Sequence, residues 1–141
     1  ILVTHDQDEA FAMSDRISVM HHGKILQNDS AYNLYHCPAN RFVAEFIGEG
    51  ALLPGVFTSE DTISTDLGEI SGTLKENFKK EDKVEILIRP ENVIVADTSD
   101  YEAVITARYF RGSAFLYSLK WIGGSELHCL IAGSDSLQFD Q

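Results

Sequence analysis

Cysteine is scarce in this chain: Cys37 and Cys129 are the only two in 141 residues. A disulfide framework would need more of them at closer spacing, and no Cys-x-x-Cys metal or redox pattern occurs. Two reduced thiols in a cytosolic protein are expected. Basic residues are few as well, 11 Lys and Arg against 22 Asp and Glu, which gives a formal net charge of −11. That excess repels a phosphate backbone and an anionic leaflet, so no nucleic-acid partner is expected. No apolar run approaches the roughly 18 residues needed to span a bilayer. The start, Ile1-Leu2-Val3-Thr4, has no basic stretch or cleavage site and no initiator Met. A chain that begins inside an apolar, strand-like run reads as cut out of something longer. What is present is ordinary globular composition, 44% hydrophobic and 23% charged, which excludes wholesale disorder.

Two halves with different patterns follow. Residues 1–48 alternate between β and α. Ile1–Thr4 reads as a short strand. Asp6 reads as a helix N-cap with Glu9 as its capping-box partner, ahead of Ala10, Phe11, Ala12 and Met13. Ile17–Met20 and Lys24–Gln27 flank a Gly23 turn, the pattern of a hairpin. Ser30 can cap a second helix that Pro38 ends. Asn40 can cap a third, with Phe42, Val43, Phe46 and Ile47 at helical spacing and Gly48 behind it. Residues 49–141 are all-β and carry more of the acidic excess. Val84, Ile86 and Ile88 alternate with polar neighbours, as do Ala103, Ile105, Ala107 and Tyr109. Phe115, Tyr117, Leu119 and Trp121 form the longest such run, and Gly123-Gly124 separates it from Leu127, Cys129 and Ile131. The expected fold class is an α/β tail (strand-helix-strand-strand-helix-helix) followed by a small all-β, OB-like barrel.

His5 stands directly after the first apolar run, which in an open α/β sheet is the carboxyl end of a strand, where ligands bind. An imidazole there can donate a hydrogen bond to a phosphate oxygen. On local pattern alone, a histidine satisfied within a strand-helix turn accounts for it as well.

The run Thr4-His5-Asp6-Gln7-Asp8-Glu9-Ala10, with Ser14-Asp15-Arg16-Ile17 after it, resembles the switch-histidine (H-loop) region of ABC-transporter ATPases. Val19–Ile25 is similar to the strand pair that follows in that family. Tyr35–Gly48 is similar to the segment leading out of its nucleotide-binding domain. Ile88-Arg89-Pro90-Glu91-Asn92-Val93 resembles a motif of the TOBE regulatory domain of importer ATPases, which implies that residues 49–141 form such a domain with a truncated end. The resemblance implies that His5 is the catalytic and ATP-contacting residue, meeting the γ-phosphate and helping to orient the attacking water. It implies ATP and Mg²⁺ as cofactors of the complete subunit, a homodimer formed through the β domain, permease subunits as partners, and a peripheral place on the cytoplasmic face of the inner membrane. Phe46–Gly50 and Leu52–Gly55 look most like the junction of ferric-iron importers, with polyamine, sulfate and molybdate importers as related classes.

The departures are large. A Walker A loop needs Gly, four residues, then Gly-Lys-Ser/Thr, whereas the only Gly-Lys here, Gly23-Lys24, continues into Ile25. No glycine-rich signature is present, and no apolar strand ends in Asp-Glu. Taken alone, residues 1–141 are not expected to hydrolyse ATP or to hold a metal. The alternative is a stand-alone OB-like regulatory module that binds a small oxyanion or metal complex.

Minor candidates have plainer accounts. His21-His22 reads as a solvated turn pair and His36-Cys37 as a helix end, since neighbouring residues rarely share one ion. The Phe115–Trp121 run reads as barrel packing ahead of a nucleic-acid platform. Arg108 and Arg111 read as strand charges ahead of an oxyanion site. Lys75, Lys79, Lys80 and Lys83 with Glu76, Glu81 and Asp82 read as a solvated loop or short helix face.

Overall fold

Three short helices near the start are each begun by a side-chain oxygen. Each such cap satisfies an otherwise orphaned helix N–H and contributes about 1 kcal/mol. In the computed structural model, which describes residues 1–59, 61–72, 78–96, 102–121 and 124–133, Asp6 Oδ1 accepts from Glu9 N at 3.0 Å and opens α1 (Gln7–Met13). Ser30 Oγ accepts from Asn33 N at 3.2 Å for α2 (Ala31–His36). Asn40 Oδ1 accepts from Val43 N at 3.1 Å for α3 (Arg41–Phe46). Gly48 follows α3 at φ +73°, the left-handed conformation that ends helices. The other half of the expected capping box is missing: the Asp6 amide donates to Thr4 Oγ1 at 3.0 Å instead of to Glu9.

β1 (Ile17–His21) and β2 (Lys24–Asp29) pair antiparallel. His22 and Gly23 both take positive φ in the turn, 46° and 75°. That is the twist a two-residue hairpin loop prefers. Val19, Leu34, Val43 and Ile47 are buried together, and Phe11, Ile17, Leu26, Tyr35 and Phe42 pack around them. The strand expected at Ile1–Thr4 does not form. Ile1, Leu2 and Val3 are exposed and pair with no described strand. β-branched composition alone cannot make a strand; the ladder needs a neighbour.

The chain divides into two compact units, residues Ile1–Glu49 and Gly50–Gln141. In the second, β3 (Ala51–Ser59), β4 (Thr62–Thr65), β5 (Gly68–Ser71) and β6 (Lys83–Ile88) form an antiparallel sheet in the order β5-β4-β3-β6. A 3₁₀ turn, Pro90–Asn92, follows. β7 (Ala103–Phe110), β8 (Ala114–Trp121) and β9 (Glu126–Ala132) form a three-stranded sheet in chain order. Leu53, Leu67 and Leu127 share one buried cluster, with Ala51, Ile70, Ile86, Ile88 and Trp121 against it. The arrangement is consistent with an OB-like fold, but among the described residues no ladder joins the two sheets into the closed barrel expected. The β8–β9 hairpin is present, paired as far as Lys120 opposite Glu126. Gly123, Lys75, Glu76 and the end at Phe139–Gln141 lie outside the described residues.

The period-two reading of Ala103, Ile105, Ala107 and Tyr109 as one face is also corrected. Ile105 opposes Leu119, but Ala107 opposes Ser118, so Thr106 is an extra residue in the ladder. Its Oγ1 donates to the Ser118 carbonyl at 3.2 Å. Beyond this bulge the faces exchange. Arg108 and Phe110 then stand over the aromatic face of β8: the guanidinium is 5.1 Å from the Phe115 ring centre and the Phe110 ring 5.2 Å from it.

Gly55 marks a close approach of β3 to β4. A Cβ there would lie 2.5 Å from Ile63 Cγ2 and 3.0 Å from the Ser64 carbonyl oxygen. Gly55→Ala is therefore expected to destabilise the β unit by about 1–3 kcal/mol, by the cost of overpacking. Urea unfolding checks it; an unchanged midpoint would show that the strands can move apart freely.

Candidate functional site

His5 is held by its neighbours and not by its own ring. Thr4 Oγ1 accepts the Asp6 N–H two residues on, a side-chain turn with His5 at its centre. Asp6 then caps α1. Gln7, the first residue of α1, spends both ends of its amide on the far end of α3: Nε2 donates to the Phe46 carbonyl, and Oε1 accepts from Gly48 N at 3.1 Å. The His5 ring is exposed and makes no hydrogen bond among the described residues. An imidazole presented in this way is available to donate its ring N–H to an incoming oxyanion.

A second glutamine works alike. Gln27 Nε2 donates to the Cys37 carbonyl at 3.0 Å and its Oε1 accepts from Ala39 N at 2.7 Å, fixing the exit from α2. Arg16 donates to Asn28 Oδ1 and to the Asn28 carbonyl and so joins the start of β1 to the end of β2. None of these roles was visible in the sequence. A glutamine amide can donate and accept at once, but which helix end it reaches is decided by packing.

Asp29 closes β2. Its Oδ1 accepts from Asn33 Nδ2 at 2.8 Å and Ser30 N at 2.9 Å. The Asn33 hydrogen bond, followed by that from Ser30, holds the carboxyl below the ordinary aspartate range. A carboxyl that binds its proton more weakly when folded adds stability above its unfolded pKa, about 3.9. That contribution is lost as pH falls through the lower folded value. Asp29→Asn is expected to flatten the acid limb of the stability-against-pH curve below about pH 4. Thermal melts of both proteins from pH 2 to 7 check it; parallel acid limbs would contradict it.

The remaining sequence candidates stay apart. The His21 ring lies 4.0 Å from that of His22 and 3.9 Å from Phe42, at the hairpin tip. The His36 ring lies tilted 4.2 Å from that of Tyr32 and edge-on to that of Tyr35 at 5.1 Å. Cys37 is exposed, whereas Cys129 is buried, donates to the Val93 carbonyl at 3.0 Å, and has its thiol pushed up by burial. Among the described residues no three His, Cys, Asp or Glu side chains gather to hold a metal ion. Tyr117, in the middle of the aromatic run, is fully buried. Lys79 and Asp82 close a turn, the Lys79 amide donating to Asp82 Oδ2 at 2.7 Å. Arg41 and Glu45 pair at 2.8 Å on the exposed face of α3, where such a pair contributes little. A shallow depression of about 600 Å³ on the four-stranded sheet sets Lys83 against Asp66 and Glu85. That balance does not favour an oxyanion.

No family model matches the chain. Over 93 residues, 66% of its length, it is 45% identical to the spermidine/putrescine import ATP-binding protein PotA of Onion yellows phytoplasma, where the match covers 22% of that protein. Over 122 residues, 85% of its length, it is 38% identical to the protein of the same name from Borrelia garinii subsp. bavariensis, covering 35% of that one. A Borreliella afzelii protein of that name matches at 38% over 122 residues as well. The chain thus spans 22% to 35% of the length of these curated relatives. Over that stretch it is similar to the ATP-binding subunits of ABC-type importers.

Proposed function

We propose that this chain is the C-terminal portion of the ATP-binding subunit of an ABC-type importer, and that the transported class is polyamines. The observation that carries the proposal is the 38% identity over 122 residues to a spermidine/putrescine import ATP-binding protein. The junction around Phe46–Gly50 and Leu52–Gly55 resembles that of ferric-iron importers. The relatives' names put polyamines ahead of ferric iron.

In this reading residues 1–48 end the nucleotide-binding domain and residues 49–141 form a TOBE-like regulatory domain that helps two subunits dimerise. The complete subunit docks on permease subunits at the cytoplasmic face of the inner membrane. No helix among the described residues is long and apolar enough to cross a membrane.

Among the described residues, the exposed imidazole of His5 fits one of the groups that ATP requires. Its part is to hold a γ-phosphate oxygen and the proton at its own ring nitrogen, on a turn shaped by the Thr4 and Asp6 side-chain hydrogen bonds. The described residues do not form a site for Mg²⁺, and no step through the metal is assigned to them.

The test is transport. The complete subunit, reconstituted with its permease in proteoliposomes, is expected to drive ATP-dependent uptake of labelled spermidine or putrescine. Uptake of ferric complexes without polyamine uptake would overturn the substrate class. Absence of ATP hydrolysis in the assembled transporter would overturn the proposal itself.

A further inference from the structure

We propose that Gln7 is a positioning residue for His5, locking the histidine's turn to the C-terminal end of α3. The proposal rests on the reading of His5 as the phosphate-contacting group. The His5 ring makes no hydrogen bond among the described residues, so its place depends on the backbone that carries it. Downstream, α1 has no buried residue; Phe11 is only partly covered where it meets the core. A seven-residue helix with so little burial is not stable through its own hydrogen bonds. What ties its first turn down is the Gln7 amide, which bridges to residues 39 and 41 positions away.

The bridge is also chemically specific. Phe46 O is one of the carbonyls that a helix leaves without an internal partner, and Gly48 N belongs to the left-handed residue just past the helix end. Only a side chain with a donor and an acceptor on one planar group meets both. From that anchor the order runs Gln7, the Asp6 cap, the Thr4–Asp6 turn and then His5. A small shift of α1 against α3 would move the imidazole by a comparable amount. Misplacing a catalytic group by about 1 Å can cost on the order of a hundred-fold in rate.

The test compares Gln7→Ala, Gln7→Glu and His5→Ala in the complete subunit assembled with its permease. It follows kcat and KM for ATP, and hydrogen exchange of the peptide covering residues 4–13. Gln7→Ala is expected to lower kcat by roughly ten- to a hundred-fold with little change in KM, and to speed exchange in that peptide. Gln7→Glu keeps the acceptor for Gly48 N and loses the donor for Phe46 O, so both of its effects should be intermediate. It also serves as the informative variant if Gln7→Ala assembles poorly. Wild-type kcat in both Gln7 variants, with His5→Ala inactive, would overturn the positioning role and leave His5 standing. Wild-type turnover in His5→Ala would overturn the reading of His5 itself, and the role of Gln7 with it.

Discussion

Replacing His5 with alanine is expected to reduce ATP turnover of the complete subunit by roughly 10²- to 10³-fold, the usual cost of removing one preorganised donor from a developing charge. ATP affinity should change little, because the other phosphate contacts of such a site belong to motifs absent from residues 1–141. The separation of chemistry from folding is unusually clean here. The ring is exposed and makes no hydrogen bond among the described residues, so its removal leaves no buried group unsatisfied. Surface changes of that kind shift stability by about 0.5 kcal/mol or less. An unchanged melting temperature of residues 1–141 beside a collapsed kcat of the complete subunit is therefore the expected pair of results. His5→Gln, which keeps a neutral donor, should recover part of the loss. Steady-state ATPase assays of the reconstituted transporter decide the matter, and turnover within a few-fold of wild type would remove His5 from the mechanism.

The largest effect on stability is expected from Leu34→Ala, at about 2–5 kcal/mol. Leu34 has no exposed surface and sits against Val19, Val43 and Ile47. The walls of the resulting cavity have little freedom to close. The Ser30 cap fixes the start of α2, the Gln27 amide fixes its exit, and the β1–β2 ladder is tied by Arg16. A unit of about 50 residues has a small core and a few kcal/mol of stability to lose. The substitution should therefore unfold residues 1–49 at ambient temperature, or nearly so. Leu34→Met conserves volume and should cost less than about 1.5 kcal/mol. Urea titration followed by far-UV circular dichroism distinguishes the two; a loss below about 1 kcal/mol for Leu34→Ala would mean that the core repacks.

Much of the local structure could be read from residue order. Asp6, Ser30 and Asn40 cap their helices through bonds that reach three residues ahead, and the His22-Gly23 turn closes between adjacent strands. Alternation identified β6, β8 and β9 because each keeps its register along its length. It failed on β7, where one added residue at Thr106 exchanges the faces; hydrophobic order carries no sign of that, since Ala107 and Tyr109 suit either side. It failed at Ile1–Thr4 as well, where strand-like composition met no partner strand among the described residues. The candidate site divides the same way. His5 was found through the motif around it, but Gln7 was only one more polar residue in that motif.

Residue order and composition specify the caps, the turns, the charge balance that disfavours nucleic acid, and the run of residues that directs attention to His5. These are matters of composition or of contacts between near neighbours, which the order of residues specifies directly. Tertiary structure alone decided which helix end the Gln7 amide would reach, which face Arg108 and Phe110 would join, and that a side chain at Gly55 would collide with β4. Each of these depends on where distant backbone comes to lie. That position follows from the packing of the whole unit and is encoded at no single place in the chain.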